Sequence, residues 1–152
     1  MVKVVKTGII ISLIGFLAFS CSKKKECASI QPIQPIASFQ IVDANGLNLI
    51  GDGLTYDFED IQLFNDALDI PLGINFSQNG DEAAIWFDYF QLISGEAYNL
   101  KLNDTETDIL RFQFYIEEGN CFDLKLIENV NLNNIQLDLS GTNSNRLFVI
   151  VK

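Results

Sequence analysis

The chain has 152 residues, with 20 acidic and 10 basic side chains, a formal net charge of −10 and no histidine. Lack of histidine excludes Ser-His-Asp and Cys-His catalysis and removes the commonest zinc ligand. From Ala37 onward five basic residues stand against 19 acidic ones, a net charge of −14 that repels phosphate backbones and excludes nucleic acid as a partner.

Lys3 and Lys6 precede the uncharged apolar run Thr7 to Phe19, and Ala18-Phe19-Ser20 leads into Cys21. A basic start, a short apolar run and a small residue at its end make a secretory signal over residues 1–20. The run falls short of the roughly 20 residues that a helix needs to span a bilayer, so a permanent transmembrane helix is not expected. Because it ends at a cysteine, the segment resembles a bacterial lipoprotein signal. That resemblance implies that Cys21 becomes the lipid-bearing N-terminus and anchors the chain to a membrane of the bacterial cell envelope, with the outer membrane the expected address. An ordinary secretory signal is the other reading, since Phe19 precedes the small Ser20.

Residues 21–36 read as the lipidated cysteine and its tether. Lys23-Lys24-Lys25 either contributes about 1 kcal/mol per lysine on an anionic leaflet or keeps the tether extended. Gln31-Pro32-Ile33-Gln34-Pro35 favours an extended path, because proline fixes φ and donates no hydrogen bond. With Cys21 acylated, Cys27 and Cys121 remain as an even pair in an exported chain, where a disulfide is permitted. Bridged, they close a loop of roughly 95 residues, for which chain entropy gives at most about 4 to 5 kcal/mol. Unbridged, Cys121 is a buried thiol and Cys27 a free one.

Period-two alternation starts at Ala37 and marks the domain 37–152. Phe39 and Ile41 form a first strand that ends at Asn45-Gly46, residues tolerant of positive φ. Leu47 to Asp57 reads as a glycine-bearing loop, then Ile61 and Leu63 as a short strand. Leu72, Ile74 and Phe76 alternate up to the hairpin signal Asn79-Gly80-Asp81. Ala83 to Ile93 is apolar on both faces, with Ile85, Phe87 and Tyr89 on one and Trp86, Phe90 and Leu92 on the other. Further strands follow at Tyr98 to Leu102, Leu110 to Ile116, Phe122 to Leu126, Ile135 to Leu139 and Leu147 to Val151. Short alternating strands with polar turns predict an all-β, two-sheet antiparallel β-sandwich of about eight strands, with a closed barrel as the alternative.

Three passages carry a wider resemblance: Phe39 to Leu49, Tyr56 to Leu63, and Asp108 through Cys121 to Asn134. They are similar to small envelope lipoproteins of Bacteroidetes-type bacteria. The resemblance implies a transthyretin-like (prealbumin-like) sandwich, with one cysteine near the mature start and another after the late hairpin. Cys27 and Cys121 stand at those places, and no catalytic residues come with the resemblance.

Candidate chemistry is sparse, and catalysis is not expected. Asp88, the acid inside an apolar strand, and Glu96 in the next hairpin strand make the carboxylate pair a glycosidase-type hydrolase would need. Asp43, Asn45, Asp52 and Asp57 supply oxygen ligands in a glycine-bearing loop, which makes calcium the candidate ion. The acidic turn Asp104, Glu106 and Asp108 is open to the same two readings, calcium ligands or solubilising acids at a turn. Trp86 and Tyr89 form a candidate binding face for a glycan or an envelope protein. The expected function is a lipid-anchored, non-catalytic structural or interaction module. Calcium- or glycan-dependent recognition is second, and an envelope hydrolase third.

Overall fold

Alternating side chains become two sheets that share their apolar faces. The computed structural model describes residues 27, 34–65, 70–79, 82–142 and 145–152. The chain divides into two compact units, and the larger, Ile33–Gly119 with Asp123–Lys152, contains every strand named below. The expected signal, the expected lipidation site Cys21 and the expected tether up to Ile33 lie outside the described residues, apart from Cys27. Among the described residues no helix is long and apolar enough to cross a membrane.

Eleven strands are described: β1 (Ile36–Val42), β2 (Gln62–Asn65), β3 (Ile70–Leu72), β4 (Asn75–Asn79), β5 (Glu82–Asp88), β6 (Ala97–Lys101), β7 (Thr107–Glu117), β8 (Leu124–Leu132), β9 (Ile135–Gln136), β10 (Ser140–Thr142) and β11 (Asn145–Val151). One sheet runs β10-β11-β1-β5-β4 and the other β3-β2-β6-β7-β8-β9. The fold is all-β, a sandwich of two sheets, with more strands among the described residues than the roughly eight expected. It is also not wholly antiparallel: β1 pairs with β11 in parallel from Ile36↔Asn145 to Val42↔Val151. Alternation reports which face a residue takes and carries no strand direction, so this pairing was not legible.

The core is aromatic. Phe39 of β1 stacks on Phe148 of β11 at 5.0 Å and on Phe87 of β5 at 5.7 Å. Phe112 of β7, in the opposite sheet, meets Phe39 and Phe87 edge-on at 6.4 and 6.0 Å. Edge-to-face rings place a positive rim on a negative face, and each fully buried ring adds roughly 1.5 to 3 kcal/mol from area alone.

Several strands differ in detail from the expected ones. β5 stops at Asp88, because its Oδ1 accepts the Phe90 amide at 2.7 Å and turns the chain well before Ile93. The expected strand over Leu72, Ile74 and Phe76 divides at Gly73-Ile74, and its halves join different sheets. In β8 the register passes from Gln113↔Asn129 to Phe114↔Ile127, leaving Glu128 unpaired as a bulge. One extra residue reverses the strand's phase. Ile127 and Val130 therefore enter the core, while Phe122 lies before β8 and is exposed. In β11 the buried residues are Phe148 and Ile150, whereas Val149 and Val151 are exposed. Leu147 to Val151 is apolar at every position, so alternation could not choose a face. The Ile135 to Leu139 strand shrinks to β9, after a two-residue turn with Asn133 at φ 49 and Asn134 at φ 70. The Gly80-Asp81 turn lies outside the described residues, but the β4–β5 hairpin it predicts is present.

Candidate functional site

The ionisable groups that the fold brings together lie where β1 ends, at Val42. Asp43 turns the chain there. Its Oδ1 accepts the Asn45 and Leu47 amides, both at 2.8 Å, and its carbonyl accepts Gly46 N–H at 3.0 Å. Those bonds, led by the one from Leu47, hold the Asp43 carboxyl below the usual range. Gly46 supplies the φ of 82° that the turn requires. Further on, Tyr56 bridges back to Ile50, and Asp57 Oδ1 caps the single 3-10 turn Phe58–Asp60 through the Glu59 amide at 3.1 Å.

The β6–β7 turn reaches the same end. Asn103 Oδ1 accepts the Thr105 and Glu106 amides at 2.9 Å and so presents Glu106. Lys152 arrives beside it because its amide donates to the Val42 carbonyl at 2.9 Å. Its ammonium lies 2.7 Å from Glu106 Oε1 and 2.6 Å from Asp108 Oδ2. Tyr56 donates to Glu106 Oε2 at 2.8 Å, and Asn133 Nδ2 donates to Asp108 Oδ1 at 2.7 Å. Asp108 is only 4% exposed, so its charge needs these partners. Burial works against the Lys152 charge, but the bonds to Asp108 and Glu106 outweigh it and raise its pKa. The Lys152 bond holds Glu106 low, and burial with the Glu106 bond pushes Tyr56 up to about 12. Chemically this is a clasp, in which the Lys152 ammonium bonds both carboxylates and the neutral Tyr56 and Asn133 donors satisfy their remaining oxygens, leaving a net charge of −1.

The opposite end, where the chain enters at Pro35, is closed by rings. Tyr89 donates its amide to the Pro35 carbonyl at 3.3 Å and stacks on Phe114 at 5.6 Å. Its hydroxyl is buried without a hydrogen-bond partner among the described residues, and burial raises its pKa. Lys125 lies 4.3 Å from the centre of the Phe114 ring and donates to the carbonyls of Phe90, at 2.9 Å, and Leu92. Burial lowers its pKa, with Asp88 opposing.

Cys21 lies outside the described residues. Cys27 and Cys121 form a disulfide with Cα atoms 5.3 Å apart, within the usual span. Asp43 and Asn45 bond to each other, Asp57 caps a 3-10 turn, and Asp52 is exposed on the Gly51 to Gly53 turn. Among the described residues no three His, Cys, Asp or Glu side chains gather as a metal-holding group. Trp86 and Tyr89 do not share a face: Tyr89 is fully buried, and Trp86 is half-buried on the outer side of the sheet, opposite Ser38 and Asn75. Odd and even positions of a strand point apart, which rules out the pair as one surface. Asp88 is committed to the Phe90 amide and accepts Gln34 Nε2 at 3.3 Å, with no hydrogen bond to Glu96 among the described residues. The Lys152 clasp was missed. Its available signal was Asp108, which shares the apolar phase of Leu110 and Phe112 and so calls for a cation.

Comparison with protein-family models, with curated proteins and with solved structures gives no match.

Proposed function

We propose that this chain is a lipid-anchored, non-catalytic module of the bacterial cell envelope, a transthyretin-like sandwich that serves a structural or protein-interaction role. The observation that carries this reading is the loop beyond β1. Leu47 and Leu54 stand 65% and 50% exposed there, on a chain held by the Asp43 turn and the Ile50–Tyr56 bridge. Exposed apolar side chains on a fixed loop suit contact with another protein, since they gain by leaving water and lose little by being ordered. The nearby carboxylates of Glu106 and Asp108 are engaged by Lys152, Tyr56 and Asn133, which favours a structural use over acid–base chemistry. The acyl group on Cys21 supplies the anchor, and the partner is an envelope protein.

The test is fractionation of cells carrying Cys21→Ala, followed by cross-linking with a Leu47→Ser, Leu54→Ser variant. Loss of membrane partitioning in the first and loss of a reproducible partner in the second are expected. Unchanged maturation and partitioning of Cys21→Ala would remove the anchor, and a partner retained by the double variant would remove the loop from the interface.

A further inference from the structure

The Pro35 end carries its own exposed apolar side chains. Phe90 is 68%, Ile93 54% and Ile116 60% exposed, all far above what a core residue shows. They are brought together by named bonds. Lys125 donates to the Phe90 and Leu92 carbonyls, and Lys125 is the β8 partner of Ile116 in the ladder. Ser94 continues the same connection, accepting the Phe114 amide at 3.1 Å and donating to Gln113 Oε1 at 3.0 Å. With its backbone carbonyls committed to Lys125, the connection holds Phe90 and Ile93 outward. Pro35 adjoins them through Tyr89, so the chain enters the sandwich at this same end.

Chain length says what covers these side chains. From Cys21 to Pro35 there are 14 residue steps, and from Cys21 to Cys27 only six. Extended chain spans at most about 3.3 to 3.6 Å per residue, so the reach is roughly 50 Å in the first case and roughly 20 Å in the second. Because Cys27 is bonded to Cys121, in the connection between β7 and β8, the shorter figure limits how far that connection can stand from the acyl group. The segment after Cys21 is thus joined covalently to the sandwich at two points of the chain, Pro35 and, through Cys27–Cys121, the β7–β8 connection. Resting on the lipid-anchor reading, we propose that the Phe90, Ile93 and Ile116 end docks on the lipid surface, with the disulfide as the short leash that keeps it there. Interfacial side chains of this kind enter the boundary between headgroups and acyl chains. An anionic leaflet would repel Glu117 and Glu118 beside Ile116 and attract Lys23 to Lys25 beside the anchor, so a zwitterionic surface isolates the apolar contact from both charges.

The experiment uses the full acylated chain in phosphatidylcholine vesicles whose acyl chains carry bromine, a contact quencher of indole fluorescence. The chain has one tryptophan, Trp86, which is replaced by Phe, and a new reporter is placed by Phe90→Trp or Leu54→Trp. Loss of emission for Phe90→Trp and none for Leu54→Trp is expected. Equal quenching of both, or of neither, in a chain that floats with the vesicles overturns the docking while leaving the anchor intact. Failure to float overturns the anchor and the docking with it. Quenching of Phe90→Trp should weaken when Cys27 and Cys121 are both changed to Ser, and quenching that persists undiminished overturns the leash.

Discussion

At the Val42 end the sandwich is closed by charge, with Lys152 between Glu106 and Asp108, whereas at the Pro35 end it is closed by rings, with Tyr89 stacked on Phe114 and Lys125 over the Phe114 ring. Both ends use a lysine, and the two lysines shift in opposite directions. Lys152 is raised by the two carboxylates it binds, against its burial. Lys125 is lowered by burial and faces carbonyls and a ring instead of a bonded acid. The difference teaches that the first closure depends on protonation and the second on packing.

Breaking the charged closure should have the largest effect. Lys152→Met leaves Asp108 buried without its cation, and removing one partner of a buried pair costs about 3 kcal/mol or more. Urea unfolding at neutral pH checks this, and Asp108→Asn made with Lys152→Met should recover part of the loss.

Changing the pH sharpens the same contrast. Glu106 has a depressed folded pKa, so its share of stability is complete above its ordinary 4.5 and is lost as pH falls through the folded value. Lys152 has a raised folded pKa, so its share is complete below 10.5 and lost as pH rises through the folded value. Tyr56, raised from 10.0 to about 12, acts in the same direction: its share is complete below 10.0 and lost as pH climbs toward 12. The stability gap between the wild type and Lys152→Met should therefore narrow at acid pH and again above about 10.5.

Lys125→Met should cost about 1 kcal/mol or less, because a thioether also packs on a ring while the ammonium's desolvation is relieved. A loss as large as that of Lys152→Met would erase the contrast between the ends. Smallest of all is calcium: Asp43 already accepts two loop amides, so adding calcium or a chelator should leave the melting temperature unchanged. A calcium-dependent rise would return Asp43, Asn45, Asp52 and Asp57 to the list of ligands.

Much of this fold was legible because burial follows alternation. Phe39 and Ile41, Tyr98 and Leu100, and Leu110 and Phe112 take the inward positions that their phase predicts. Where both phases are apolar, as from Leu147 to Val151, size and neighbours decide, and a single sequence does not report neighbours. The Glu128 bulge was hidden for a related reason: an inserted residue looks like any other polar position until its partner strand is known. The site was less legible than the fold. Asp43 read as a ligand because its spacing to Asn45 and Gly46 suits a calcium loop, yet the same spacing suits a turn that satisfies its own amides. Asp108 carried a usable signal, a carboxylate in an apolar phase, but nothing near it in the chain pointed to Lys152, 44 residues away.

The most direct test of the whole account is photo-cross-linking in intact cells, with a reactive side chain placed at Phe90 in one chain and at Leu54 in another. The account predicts a lipid adduct from position 90 and a protein adduct from position 54. Protein from position 90 together with lipid from position 54 would contradict it, by turning the molecule end for end on the membrane.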